Sequence, residues 1–426
     1  MSLIYFIPDW DDRVDPNYDF INDTHSPDRD PYHSDYYAHQ IYNEPPYDGI
    51  LVSRAVIDRQ PSKLELIRDI GSIKRYLRLP ESHTVLGDCG AFSYWREENP
   101  PYKNEEMLEF YQRLGFDFGV SVDHLIFAGL DHDKERRWNI TMENAEVFIK
   151  RHRAGRYTFT PIGVVQGWDP ESYRRGARQL IKMGYRYIAI GGLVRSATKD
   201  IIRILSAIQE ELPPGIRVHL FGVNRPEYVH VFAQLGVTSF DSASRLRRAW
   251  IDGERNYFLG DDAYTAIRVP YSSKMTGKSP SNEKELQKME KDALTRLRDY
   301  DRGIVSINQV FESIVAYTEL SGKMSSRMRR EYWRTLQEEP WKRCPCAICR
   351  SIGVEVIIFR GNNRNRRRGF HNTWQLYQNI KSNSASAPSC DLTRYEALLA
   401  PPQPLPPPSP DTRRAAPPRG EADGRG

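Results

Sequence analysis

The sequence predicts an α/β fold, a parallel (β/α)8 TIM barrel followed by a small C-terminal metal-binding subdomain. Two observations carry this expectation. Short apolar runs alternate with amphipathic stretches from about residue 48 to residue 240, and three cysteines fall within six residues, with a histidine downstream. Alternation at this spacing builds strand-helix-strand units and therefore a parallel sheet.

Residues 1–47 are rich in Asp, Pro, Tyr and His and show little periodicity, so they are expected to form an irregular N-terminal cover. The catalytic core is expected over residues 48–280. Its apolar runs are Gly49–Ala55, Thr84–Gly87, Phe118–Val122, Tyr157–Val165, Tyr185–Ile190, Arg217–Val223 and Thr238–Phe240. Helical patterns lie between several of them, at Asn104–Leu114, Thr141–His152, Pro170–Met183, Lys199–Glu211 and Pro226–Leu235. Seven runs suggest a barrel with one strand blurred; an open doubly wound sheet is the structural alternative. Residues 281–381 read as charged helices and the metal-binding subdomain, expected to complete the barrel. From residue 382 the composition turns to Ser, Ala and Pro, and the last 26 residues hold 9 of the 29 prolines. Such a tail buries too little apolar surface to fold, so 382–426 are expected to be disordered.

Composition limits the function classes. The chain has 426 residues, 39% hydrophobic and 27% charged, which fits a soluble protein with a sizeable core. No run approaches the roughly 18 apolar residues of a membrane span. The N-terminus lacks the basic start and apolar stretch of a secretory signal, so a cytoplasmic location is expected. Net charge is +5. Its distribution says more: Arg245, Arg247 and Arg248 cluster, as do Arg364, Arg366, Arg367 and Arg368. These runs are either solvated faces or nucleic-acid contacts.

Cys344, Cys346, Cys349 and His371 have the spacing C-x-C-x2-C-x21-H. Three thiolates and an imidazole form a closed tetrahedral set, the pattern of one structural Zn2+ with no position left for water. Cys89 and Cys390 are left over.

Several strands end on a polar group. Thr84–Gly87 runs into Asp88, Phe118–Val122 into Asp123, Tyr157–Val165 into Gln166, Tyr185–Ile190 into Gly191-Gly192-Leu193, and Thr238–Phe240 into Asp241. Barrel active sites sit where the C-terminal strand ends converge. An aspartate there is also a common helix cap, and Gly-Gly a common turn; recurrence at equivalent positions favours a shared pocket. Two carboxylates flanking one bond suit chemistry at a glycosidic carbon, one attacking and the other moving protons. The remaining acceptors and donors suit the edge of a guanine-like ring.

Five motifs then resemble those of the tRNA-guanine transglycosylase superfamily, in the same order: Gly87-Asp88-Cys89-Gly90-Ala91-Phe92, Gly163 to Gly167, Ile188 to Leu193, Phe221 to Glu227, and Gly236 to Asp241. The Cys/His set matches as well. The resemblance covers roughly residues 48–380 and implies a (β/α)8 barrel with a zinc insert. It implies Asp241 as nucleophile, Asp88 as general acid/base, and Asp123, Gln166, Gly192 and Leu193 as the base-binding wall. It assigns the zinc to Cys344, Cys346, Cys349 and His371. Where the tRNA enzymes carry a Pro-Thr-Arg-rich segment after the nucleophile, this chain has Ser242-Ala243-Ser244-Arg245-Leu246. Its opening Pro8-Asp9-Trp10-Asp11-Asp12 resembles the DpdA branch, which modifies DNA. The resemblance therefore implies exchange of guanine in DNA for 7-cyano-7-deazaguanine, and it admits helper proteins of a DNA-modification system as partners. The alternatives are the same exchange in tRNA, or an inactive zinc-containing nucleic-acid-binding protein.

Overall fold

The computed structural model describes residues 3–127, 132–275, 283–322 and 324–385. Eight parallel strands close into a barrel in chain order. They are β1 (Ile4–Pro8), β2 (Gly49–Ser53), β3 (Thr84–Asp88), β4 (Phe118–Val120), β5 (Thr160–Val165), β6 (Tyr187–Ile190), β7 (Arg217–Leu220) and β8 (Val237–Asp241). The open-sheet alternative is thereby excluded.

The eighth strand lies where the sequence predicted none. β1 falls inside the expected irregular cover and closes the barrel by pairing with β2 and β8, Phe6 opposite Asp241. Residues 281–381 add no barrel strand among the described residues. The reason is local. An acidic, proline-containing stretch follows β1, and the first helix, Ala38–Ile41, comes thirty residues after its end, so no strand-helix rhythm marks β1.

Aromatic side chains fill the barrel interior. Phe6, Phe118, Tyr187 and His219 meet edge to face, with ring centroids 5.5–6.2 Å apart, and contribute directional contact beyond area burial. The outer helices follow the expected patterns. In Pro170–Met183, Tyr173, Gly176, Ala177 and Leu180 form the buried stripe, at the spacing of one helical face. Asp169 caps this helix by accepting the Ser172 N–H at 2.7 Å, and Pro170 occupies its first turn.

The C-terminal helix Gly361–Ala385 packs on Ser244–Ile251, the helix that follows β8. Gly369 permits this approach, because a Cβ there would sit 2.8 Å from Leu246 Cδ1. The second arginine run lies on this helix, and three of its four members are buried in structural contacts while Arg366 is half-buried. Arg364 and Arg368 are 0% exposed and Arg367 6%. Arg364 pairs with Asp23 and Glu355, Arg367 donates to the Asp15 carbonyl, and Arg368 to the carbonyls of Val356 and Ala249. These bonds clasp the N-terminal segment to the barrel. No helix among the described residues is long and apolar enough to cross a membrane. The expected disordered tail lies, from residue 386, outside the described residues, as does Cys390.

Candidate active site

The C-terminal strand ends surround a cavity of about 470 Å³. Asp88, Asp123, Gln166, Gly192 and Asp241 all line it, so the structure brings together five of the six predicted catalytic and base-binding residues. Leu193 is the exception: its side chain packs into the core, 1% exposed. Gly192 is required where it stands. Its φ is +79°, and a Cβ would lie 2.6 Å from the Ile126 carbonyl oxygen, so any side chain would both strain the turn and fill the wall.

Asp123 and Gln166 form one unit. Gln166 Nε2 donates to Asp123 Oδ2 at 2.6 Å, while its Oε1 accepts the Ile126 N–H at 3.3 Å. The second Asp123 oxygen accepts from Cys89 Sγ at 3.0 Å. Tyr94 donates to the Asp123 carbonyl at 3.0 Å, and its hydroxyl lies 3.0 Å from Cys89 Sγ. Burial pushes the Asp123 carboxyl up, against these two side-chain bonds. Cys89, a leftover thiol in the sequence, thus orients a wall residue.

Asp88 ends β3 beside Ser53 of β2. Burial pushes its carboxyl up to about 7, and repulsion from Asp123 and Asp241 adds to this, while the Gly90 backbone opposes it. A group poised near neutrality can both release and accept a proton.

Asp241 ends β8 and is 6% exposed. Its Oδ1 accepts the Gly222 N–H at 2.9 Å and lies 3.2 Å from His219 Nε2. His219 Nδ1 is 2.8 Å from Ser239 Oγ, which is 2.5 Å from the Tyr187 hydroxyl. His219 escaped the sequence reading. It sits inside the run Arg217–Val223, where the only available sign was a histidine in an otherwise apolar strand.

The metal group is separate, on the Cys-containing loop and the C-terminal helix. Cys344, Cys346, Cys349 and His371 are buried, and their ligand atoms lie within 4.8 Å of one another. His371 Nδ1 is 3.4–3.5 Å from the three sulfurs. Tetrahedral zinc with ordinary Zn–S and Zn–N bonds gives an N···S edge of about 3.6 Å, so the donor set fits one ion. His371 Nε2 lies 2.6 Å from the Phe258 carbonyl; donating there leaves Nδ1 as the ligand atom. Tyr257 stacks on the imidazole at 4.0 Å, and Gln375 donates to Cys344 Sγ at 3.3 Å. With its donors buried and inward-facing, the group can hold one ion.

A barrel whose strand ends gather carboxylates around one cavity, beside a closed four-donor group, suits a transglycosylase of the pentosyltransferase class. Comparison with known proteins agrees. A family profile described as queuine tRNA-ribosyltransferase matches residues 49–266, and the chain belongs to that family. A DNA-guanine transglycosylase of Salmonella montevideo is 40% identical over 89% of this chain and 97% of its own length. The tRNA-guanine(15) transglycosylases of Pyrococcus abyssi and Thermococcus kodakarensis are 28% and 25% identical, over 50% and 68% of this chain. The matches span 38% and 47% of those two archaeal proteins.

Proposed function

We propose that the protein exchanges guanine in DNA for 7-cyano-7-deazaguanine through a covalent bond between Asp241 and C1′ of the deoxyribose. The observation that carries the mechanism is the contrast between two carboxylates in one cavity. Asp241 has one oxygen held by donors, and Asp88 is held near neutrality by burial and like charge. In the first step an Asp241 oxygen bonds to C1′ as the glycosidic bond breaks, and Asp88 protonates the departing guanine. In the second, the incoming base attacks C1′, releases the Asp241 carboxylate and yields its ring proton to Asp88. Asp123 and Gln166 read the polar edge of the base, with the Gly192 and Leu193 backbone supplying the remaining contacts. Cys344, Cys346, Cys349 and His371 hold a structural Zn2+, which takes no part in the exchange.

DNA is favoured over tRNA by the nearly full-length match to the Salmonella protein, set against partial matches to the tRNA enzymes. The test offers purified protein labelled 7-cyano-7-deazaguanine with duplex DNA, single-stranded DNA and unmodified tRNA in parallel. Label in DNA and not in tRNA is expected. Label in tRNA alone would overturn the DNA assignment while keeping the roles of Asp88 and Asp241.

A further inference from the structure

Nine large hydrophobic side chains are exposed among the described residues, and four of them, Trp10, Phe92, Val194 and Ile251, line the cavity that holds Asp88 and Asp241. Exposed apolar residues scattered singly are ordinary; gathered around one mouth, they mark a contact. Two belong to adjacent parts of the rim. Trp10 follows β1, and Ile251 ends the helix that follows β8. On that helix Ser244, Arg247, Arg248 and Ile251 fall at i, i+3, i+4 and i+7, one face, and all four line the cavity. The Arg247 guanidinium stacks over the Trp10 ring, 4.5 Å from its centroid. Neither Arg247 nor Arg248 forms an ion pair with a carboxylate among the described residues.

We infer that Trp10 and Ile251 form a wedge that enters the base stack of duplex DNA and fills the gap left by the target guanine, while Arg247 and Arg248 hold the flanking phosphates. This rests on the DNA reading above. A paired guanine cannot reach Asp241 at the floor of a cavity, so it must leave the stack, at a cost of a few kcal/mol. Apolar side chains inserted between base steps offset part of that cost, and fixed guanidinium groups beside them keep the strand in register. An apolar rim flanked by cations has the chemistry this task needs. A rim meant only to admit a free base needs neither the exposure of Ile251 nor a guanidinium held over an indole.

The test uses full-length protein and a duplex with 2-aminopurine beside the target guanine. Its two readouts are the fluorescence rise on binding and the single-turnover exchange rate, the latter also measured on the same strand unpaired. Combining Trp10→Ala with Ile251→Ala is expected to slow exchange in the duplex by about tenfold or more, abolish the fluorescence rise, and leave the single-strand rate within about twofold. Ile251→Leu is expected to retain duplex activity. Equal loss on both substrates, or an unchanged duplex rate, overturns the wedge alone. Wild-type exchange confined to tRNA overturns the DNA reading and the wedge with it.

Discussion

His219 Nε2 lies 3.2 Å from Asp241 Oδ1, the same oxygen that accepts the Gly222 N–H. Among the described residues no donor engages Oδ2. The two carboxylate oxygens are therefore inequivalent: one is anchored to β7 and the turn after it, and the other is the one the proposed mechanism uses for attack. The hydrogen bonds are consistent in one direction. Tyr187 donates to Ser239, Ser239 to His219 Nδ1, and His219 Nε2 to the carboxylate.

Replacing His219 by Phe should break that anchor while keeping a ring in the barrel interior. Formation of the covalent adduct is expected to slow by about tenfold or more, the scale of a hydrogen bond to a charged group. DNA affinity should hold, because His219 is fully buried. His219→Gln, which can still donate to Oδ1, should recover part of the rate. A loss of affinity without a loss of adduct rate would refute the positioning role.

Asp241→Asn should abolish the adduct, trapped on denaturing gels, and retain nucleic-acid binding, because only the attacking oxygen is lost. An adduct that survives in Asp241→Ala would remove Asp241 as nucleophile.

Asp88 predicts a pH dependence. Its protonated form, the one that would assist guanine departure in the proposed mechanism, predominates below about 7. Adduct formation should therefore fall as pH rises through that value, and Asp88→Asn should flatten the profile at a low rate. Stability carries the same sign. The folded value lies above the unfolded value of about 3.9, so this group's contribution is complete below the latter and is lost as pH rises through about 7. Asp88→Asn should thus raise Tm relative to the parent near pH 8 and leave it unchanged near pH 4; the reverse ordering would contradict a raised carboxyl.

Much of this was legible in the sequence because barrel enzymes place chemistry at strand ends. Asp88, Asp123, Gln166 and Asp241 each follow an apolar run directly, and all four line one cavity. What escaped has physical causes. β1 lacks a following helix, so periodicity could not reveal it. His219 acts from within a strand and through another residue. Leu193 occupies a predicted wall position, yet the φ of +79° at Gly192 precedes it and its side chain goes to the core. The cysteine spacing pointed to all four donors of the metal group, because ligand identity and order alone define a closed set.

Cys346→Ser should lower bound zinc, measured by elemental analysis, and lower Tm. Structural zinc contributes on the order of 10 kcal/mol to local folding, and here the ligands tie the loop at 344–349 to the helix carrying Arg364 and Arg368. Unchanged metal content in that variant would exclude the site.

The two arginine runs look alike in sequence and should behave oppositely. Arg247 and Arg248 line the cavity mouth, so the variant Arg247→Gln with Arg248→Gln should reduce the salt dependence of DNA binding, by about 0.9 in log–log slope for each phosphate no longer neutralised. Arg364 is 0% exposed between Asp23 and Glu355. Arg364→Leu removes one of the two cations at each carboxylate, leaving Asp23 to Arg360 and Glu355 to Arg298, and takes the donor from the Phe20 carbonyl. It should therefore lower Tm and leave the salt slope of the folded fraction untouched. Arg366, the partly exposed member of the second run, separates the cases further: Arg366→Gln should alter neither quantity appreciably. A reduced salt slope in Arg366→Gln would return the second run to the nucleic-acid interface, whereas an unaltered slope in the Arg247 and Arg248 variant would remove the first run from it.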